Sequence, residues 1–413
     1  MKKATFFAVA SIAAVGTVSS QGLYFLQDEV QDSVPAKWTV GMNLVWDNNF
    51  NPTITSGPGF EEEVWSLNPY ASVTLTNVSP QTTLDLYARV GANYYLQDSE
   101  LPGASDTRGN GRLGLDLTHR FSERLRFISN NFLAYEMEPE YSYGLSAPRS
   151  GNDPYTYWSS ENSVGYRWTD RVGSFSGFSI TNYLGNGAVS DRNSWSIYHQ
   201  MRYQFAPRTV LTGQYKYEQW TGDASDNTNH YITLGLEHRL NPTSVFLLDV
   251  GAQLREVDGG ESTTSPYLQA ALNSQINSRF SVRGFMRYGI ENYDTIRSVG
   301  LTSDDLTSYE YNDQRALRIG LNGDYALSPR LSLFGGLDYI SINFDKGLIV
   351  SGPGALTDEG SSEDILNLYL GLRAKFTDTL TGECSVNYTD SASDFLGNDY
   401  DRLRLSMGVN YSF

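Results

Sequence analysis

From Trp38 onward, hydrophobic and polar positions alternate with a period of two, the mark of strands whose two faces meet different surroundings. Over 82–96, Leu84, Leu86, Ala88, Val90, Ala92, Tyr94 and Leu96 share one face. Asp85, Tyr87, Arg89, Gly91, Asn93 and Tyr95 share the other. The split recurs over 228–240 and 365–376. Such segments exceed the roughly five or six residues of a soluble strand and are long enough to cross a bilayer at a tilt. One face is apolar throughout, while the other carries Arg, Asp, Glu, Asn and Thr in numbers that a dry core would not tolerate.

A repeated turn texture fixes the number of strands. An apolar residue is followed three positions later by Gln, Arg or Thr, with mostly small or polar residues between. It occurs at Val78–Gln81, Phe121–Arg124, Trp168–Arg171, Phe205–Arg208, Leu240–Thr243, Ile276–Arg279, Leu327–Arg330 and Phe376–Thr379. Eight tight turns and nine longer loops join eighteen strands, from 38–47 to 400–413. Alternation is ragged over 125–136, 155–168 and 172–184. The segment 64–76 changes parity before Val78, which predicts a bulge or a wide first turn. The longest loops, 294–313 and 345–364, are the candidates to fold inward and constrict the lumen; the second carries a flexible tip at Ser351–Gly354.

This pattern predicts an all-β fold, a single transmembrane antiparallel up-and-down barrel with short periplasmic turns and long extracellular loops. Aromatics recur at strand ends on the apolar parity, among them Trp38, Trp46, Phe121, Trp168, Phe205, Tyr388 and Phe413, as an interfacial girdle would. Residues 1–20 have the order of a secretory signal peptide: Lys2 and Lys3, an apolar stretch, then Val18-Ser19-Ser20. A short periplasmic arm is expected over 21–37 and the barrel over 38–413. The net charge of −17 argues against nucleic acid as a partner. The single cysteine, Cys384, excludes a disulfide framework.

A leader together with a last strand ending Val409-Asn410-Tyr411-Ser412-Phe413 resembles Gram-negative outer-membrane β-barrels. The resemblance implies that Val409, Tyr411 and Phe413 form the signal read by the barrel-assembly machinery. The strand, Ser-Pro-Arg-Leu, strand texture, clearest at Ser328-Pro329-Arg330-Leu331, is similar to the broad group called β-barrel porin type 2. Some members of that group are encoded with exopolysaccharide export systems.

Charge supplies the candidate site. The loops are strongly acidic, as at Glu61-Glu62-Glu63, Asp304-Asp305, Glu363-Asp364 and Asp390/Asp394/Asp399/Asp401. The turn end is basic on the inward parity: Arg120, Arg126, Arg167, Arg239, Arg283, Arg373 and Lys375. Lumen-lining selectivity falls to Arg89, Arg112, Arg202, Arg287 and Arg318. Inward Tyr87, Tyr95, Tyr198, Tyr231, Tyr267 and Tyr369 could stack on sugar faces. All four histidines, His119, His199, His230 and His238, take the outward parity and so cannot serve as a base in the lumen.

No catalytic, cofactor or metal site is expected. The expected function is a porin-like channel of a Gram-negative outer membrane for passive diffusion of small polar solutes. Its partners would be lipid and lipopolysaccharide, bridged by divalent cations at the acidic loops. The rival functions are an exopolysaccharide-export barrel and a structural or adhesive barrel with a plugged lumen. No strand's outer face is polar enough in sequence to mark an oligomer interface.

Overall fold

The computed structural model describes residues 33–49, 63–96, 107–136, 154–185, 191–222, 226–241, 243–258, 262–291, 296–299, 307–351, 361–394 and 399–413. The expected signal peptide lies outside them, as does most of the expected arm. The first strand, β1 (Val34–Asp47), already begins within the arm's expected span.

Among the described residues nineteen strands form one antiparallel sheet, and eighteen of them close into a barrel. Closure joins β1 to the last strand, β19 (Tyr400–Ser412), in a ladder from Thr39–Ser412 to Asp47–Arg404. At its foot Trp38 and Phe413 exchange two backbone hydrogen bonds, of 3.0 and 2.9 Å. A closed sheet leaves no unpaired edge, the condition for a strand protein to sit in hydrocarbon. The additional strand, β14 (Ile296–Val299), pairs only with the outer end of β15 (Thr307–Ala326).

All eight tight turns fall where the repeated texture places them, and the hydrogen bonds explain the texture. Ser122 Oγ accepts from the backbone N–H of Arg124 and Leu125 at 3.2 and 3.0 Å. Thr169 accepts in the same way from Arg171 and Val172, Ser328 from Arg330 and Leu331, and Thr377 from Thr379 and Leu380. Asn277 Oδ1 takes the amides of Arg279 and Phe280. A short side-chain oxygen at this position caps a turn too tight to satisfy its own amides. The apolar residue that opens the motif has a second duty. At Phe121, Trp168, Phe205, Leu240, Ile276, Leu327 and Phe376, and again at the terminal Phe413, it stays 44–66% exposed, forming a girdle around the turn end.

Three expectations are corrected. The ladder of β2 (Val64–Val78) with β3 (Thr82–Tyr95) runs in constant register to Val78–Thr83. The irregularity lies instead in β1, between Val34 and Lys37. The segments 307–313 and 345–351, expected as parts of inward-folding loops, belong to β15 and to β16 (Leu331–Ser351), whose ladder continues to Ser308–Ser351. Residues 361–364 likewise begin β17 (Ser361–Lys375). The remaining loop residues, 294–295, 300–306 and 352–360, lie outside the described residues, as do Glu61, Glu62, Asp304 and Asp305.

The third correction concerns the inner wall, which is not polar along its whole height. Above Tyr339 the parity of β16 inverts: Ile340, Ile342 and Phe344 point inward and Ser341 and Asn343 outward. With Ala316 and Ile365 the three form a buried apolar cluster, each member at most 2% exposed. A strand that has risen past the lipid meets water outside, so its apolar residues turn inward as in a soluble sheet. Tyr339, whose hydroxyl donates to Asp364 at 3.0 Å, marks the level of that change.

Candidate functional site

The barrel's enclosed face is the candidate site, and the contrast between its two walls is sharp. In β8 (Arg192–Ala206) the outward Trp195, Ile197, Met201, Tyr203 and Phe205 are exposed, while the inward Arg192, Ser194, Ser196 and Arg202 are buried. An inward side chain is covered by its neighbours on the curved wall and answers them through hydrogen bonds. Gln200 Nε2 donates to Gln214 at 3.0 Å, and Tyr231 donates to Glu218 at 2.8 Å.

Four of the five arginines expected to govern selectivity are held in ion pairs. Arg112 pairs with Glu136 and Arg202 with Glu237. Glu291 binds both Arg287 and Arg318, the latter with its Nε at 2.9 Å from each carboxylate oxygen. The fifth, Arg89, has no carboxylate partner among the described residues and lies over the ring of Tyr70, 3.9 Å from its centre. Register brings Arg89 opposite Arg112 and Arg287 opposite Arg318. Arg202 stands on a third sector, so the five do not converge on one constriction.

Of the turn-end bases, Arg120 and Arg126 are register partners at the foot of the wall. Arg373 donates to Glu383 at 2.9 Å and Arg167 pairs with Asp170. Arg239 and Arg283 face inward from β10 (Asn227–Asn241) and β13 (Phe280–Glu291), opposite Val245 and Asn322 respectively. Lys375 stands opposite Thr381 in the last inward row of β17.

Three of the six inward tyrosines, Tyr198, Tyr231 and Tyr267, are bound to the wall as well. Tyr231 packs edge-to-face on Tyr267, and Tyr198 donates to Glu161 at 3.2 Å. A feature absent from sequence reasoning is a second buried patch of Ala134, Tyr155, Tyr157 and Tyr183, against which Phe132 packs.

Gln253 performs a structural task that its sequence position does not reveal. The ladder of β12 (Thr263–Asn277) with β13 stops at Leu268–Tyr288, two residues short of the place where Pro266 would face Ile290. Proline has no N–H to give the ladder. The Gln253 carboxamide, reaching from β11 (Ser244–Val257), takes its place. Its Nε2 donates to the Ile290 carbonyl at 3.0 Å, and its Oε1 accepts the Ile290 N–H at 2.8 Å.

On the outer wall each histidine Nδ1 meets a hydroxyl: Thr82 for His119, Ser176 for His199, Tyr215 for His230 and Thr209 for His238, at 2.8–2.9 Å. A polar ring facing hydrocarbon needs such a partner. At the loop end, Asp394 accepts from the backbone and hydroxyl of Ser362 at 2.7 and 2.8 Å, and Asp399 accepts from the Ser393 amide. These carboxylates anchor backbone, and no group of three or more His, Cys, Asp or Glu among the described residues could hold a metal.

No family model matches the chain, and no curated protein matches it. Among solved structures, the outer membrane protein opdK from Pseudomonas aeruginosa is 15% identical, with 92% of this chain and 99% of that one covered and a TM-score of 0.44. A BenF-like porin from Pseudomonas fluorescens Pf-5 is also 15% identical, covering 94% and 100%, with a TM-score of 0.42. OccAB4 from Acinetobacter baumannii is 14% identical, covering 92% and 99%, with a TM-score of 0.43. At these TM-scores the likenesses carry no functional inference.

Proposed function

We propose that the protein is a passive channel of a Gram-negative outer membrane that admits small polar solutes. The observation that supports this most is the closed eighteen-strand barrel, whose outer band is apolar and whose enclosed wall is lined with Arg, Glu, Gln, Asn and Ser. Hydrocarbon outside and water within is the pair of solvents that such a wall fits, and barrels of about this strand number leave an aqueous lumen. No step of chemistry is asked of the wall: Glu136, Glu237 and Glu291 are held by arginines, Glu218 by Lys216 and Tyr231, and the histidines face outward. Val409, Tyr411 and Phe413, on the exposed parity of the closing strand, serve in this reading as the assembly signal. In this reading the exposed Asp390 and Asp401, register partners at the loop end, face lipopolysaccharide and its bridging divalent cations.

Pairing sets the expected selectivity. The Arg112–Glu136 and Arg202–Glu237 pairs are neutral, and the Arg287–Glu291–Arg318 group carries one net positive charge. At physiological salt a Debye length of about 8 Å screens such a charge across a wide pore. The wild-type channel is therefore expected to be weakly anion-selective, biased by Arg89. The clean test is Arg89→Glu, because Arg89 is in no ion pair among the described residues. In planar bilayers under a salt gradient, its reversal potential should move toward the cation limit with conductance close to wild type. An unchanged reversal potential would remove Arg89 from the permeation path, and absence of any conductance from the wild-type protein would contradict the channel itself.

A further inference from the structure

Two of the three strands whose alternation is ragged in sequence carry a polar patch on the outer wall. On the outer wall, β5 (Leu125–Glu136) and β6 (Tyr155–Arg167) present Ser129, Asn131, Ser160 and Asn162 at mid-height. Their outward direction follows from parity with the exposed Leu133 on β5 and Trp158 and Val164 on β6. The four side chains form a closed hydrogen-bonded ring. The Ser129 hydroxyl donates to Asn162 Oδ1 at 2.8 Å, and Asn162 Nδ2 donates to Ser160 Oγ at 2.9 Å. The Ser160 hydroxyl donates to Asn131 Oδ1 at 2.8 Å, and Asn131 Nδ2 returns to Ser129 Oγ at 2.9 Å. Val164 lies below the ring and Leu133 and Trp158 above it, so the polar groups stand inside the apolar band rather than at its edge.

The ring does not exhaust its members. A primary carboxamide has two N–H donors and an oxygen with two acceptor sites. The ring uses one donor on each asparagine, and the second N–H of Asn131 and of Asn162 has no partner among the described residues. In hydrocarbon each such group is costly. Within membranes, small polar side chains are where protein surfaces approach closely and bond across the contact.

We propose that this face of β5 and β6 is an interface with a second copy of the same chain. A second copy is the occupant because the patch is complementary to itself. Carboxamides and hydroxyls each donate and accept, so a two-fold axis through the ring gives every unused donor an acceptor on the partner. The proposal rests on the membrane placement above but not on the channel activity.

The test uses full-length protein in its own outer membrane, with Cys384 replaced by Ala and a single cysteine introduced by Ser160→Cys. Oxidation should yield a covalent dimer running at about twice the mass of the reduced chain. Leu370→Cys, on a wholly apolar sector of the wall, should stay monomeric. In a second measurement, the mass in lipid nanodiscs should fall from dimer to monomer in the Asn131→Leu/Asn162→Leu variant, with conductance per barrel retained. Equal and low cross-linking at both cysteines would overturn the proposal. So would a double variant with unchanged mass and greater resistance to urea, since that result means the ring faces lipid. Absence of the chain from the outer-membrane fraction would overturn the membrane placement and this proposal with it, whereas an inserted monomer overturns this proposal alone.

Discussion

Replacing Leu234 with Arg should destabilise the barrel by about 2–4 kcal/mol, the cost of a cationic side chain at the midplane of a barrel's lipid face. Leu234 is 70% exposed, the most open of the large apolar residues on the wall, and it lies midway along β10 between the levels of His230 and His238. Its cross-strand neighbours, Gly213 and Val250, offer no acceptor to a guanidinium. The same residue introduced by Ser385→Arg should change stability by no more than about 0.5 kcal/mol, the usual range for a surface site. Ser385 faces the enclosed side, opposite Gly371 and Ser406 in its two ladders. Urea titration of protein folded into lipid vesicles, followed by tryptophan fluorescence, measures both. Equal costs at the two positions would mean that the two walls face the same solvent.

Glu291→Ala is expected to cost about 3–5 kcal/mol, because it strips the carboxylate from two arginines at once and leaves the buried Arg318 charge uncompensated. Arg318 and Glu291 are 3% and 7% exposed, so solvent cannot take over the lost partner without movement of the wall. The backbone beside Glu291 is already propped by side chains, with Gln253 serving Ile290 and Arg255 reaching the Glu291 carbonyl at 3.4 Å. Adding Arg318→Ala to Glu291→Ala should restore part of the loss, and the double-mutant cycle gives the coupling directly. Additive losses in that cycle would show that the three charges do not act as one unit.

The fold was legible because membrane and lumen each write on alternate residues. The eight turns were legible because capping restricts the residue after the apolar one to Ser, Thr or Asn in most of them. Three features could not be read in the same way. Residues 307–313 and 345–351 resembled loops although their ladder continues to Ser308–Ser351; above Tyr339 the apolar Ile340, Ile342 and Phe344 already point inward, so the apolar-out code no longer marks a strand there. The pairing of Arg112 with Glu136, or of Arg287 and Arg318 with Glu291, depends on register between strands distant in sequence, which alternation within one strand does not fix. The ragged stretches over 125–136 and 155–168 obscured the pattern for a physical reason. Ser129, Asn131, Ser160 and Asn162 put polar atoms on the face expected to be oily and satisfy most of them locally.

The central claim is best tested by spin labels at single cysteines in the Cys384→Ala protein, placed in turn at Thr233, Leu234, Tyr369 and Leu370 and read in a bilayer. Labels at Leu234 and Leu370 should relax strongly with dissolved oxygen and weakly with a water-soluble nickel chelate, and labels at Thr233 and Tyr369 should show the reverse. If Leu234 and Leu370 are instead shielded from both reagents, they point into a common dry core, and the chain is not a barrel dividing lipid from water.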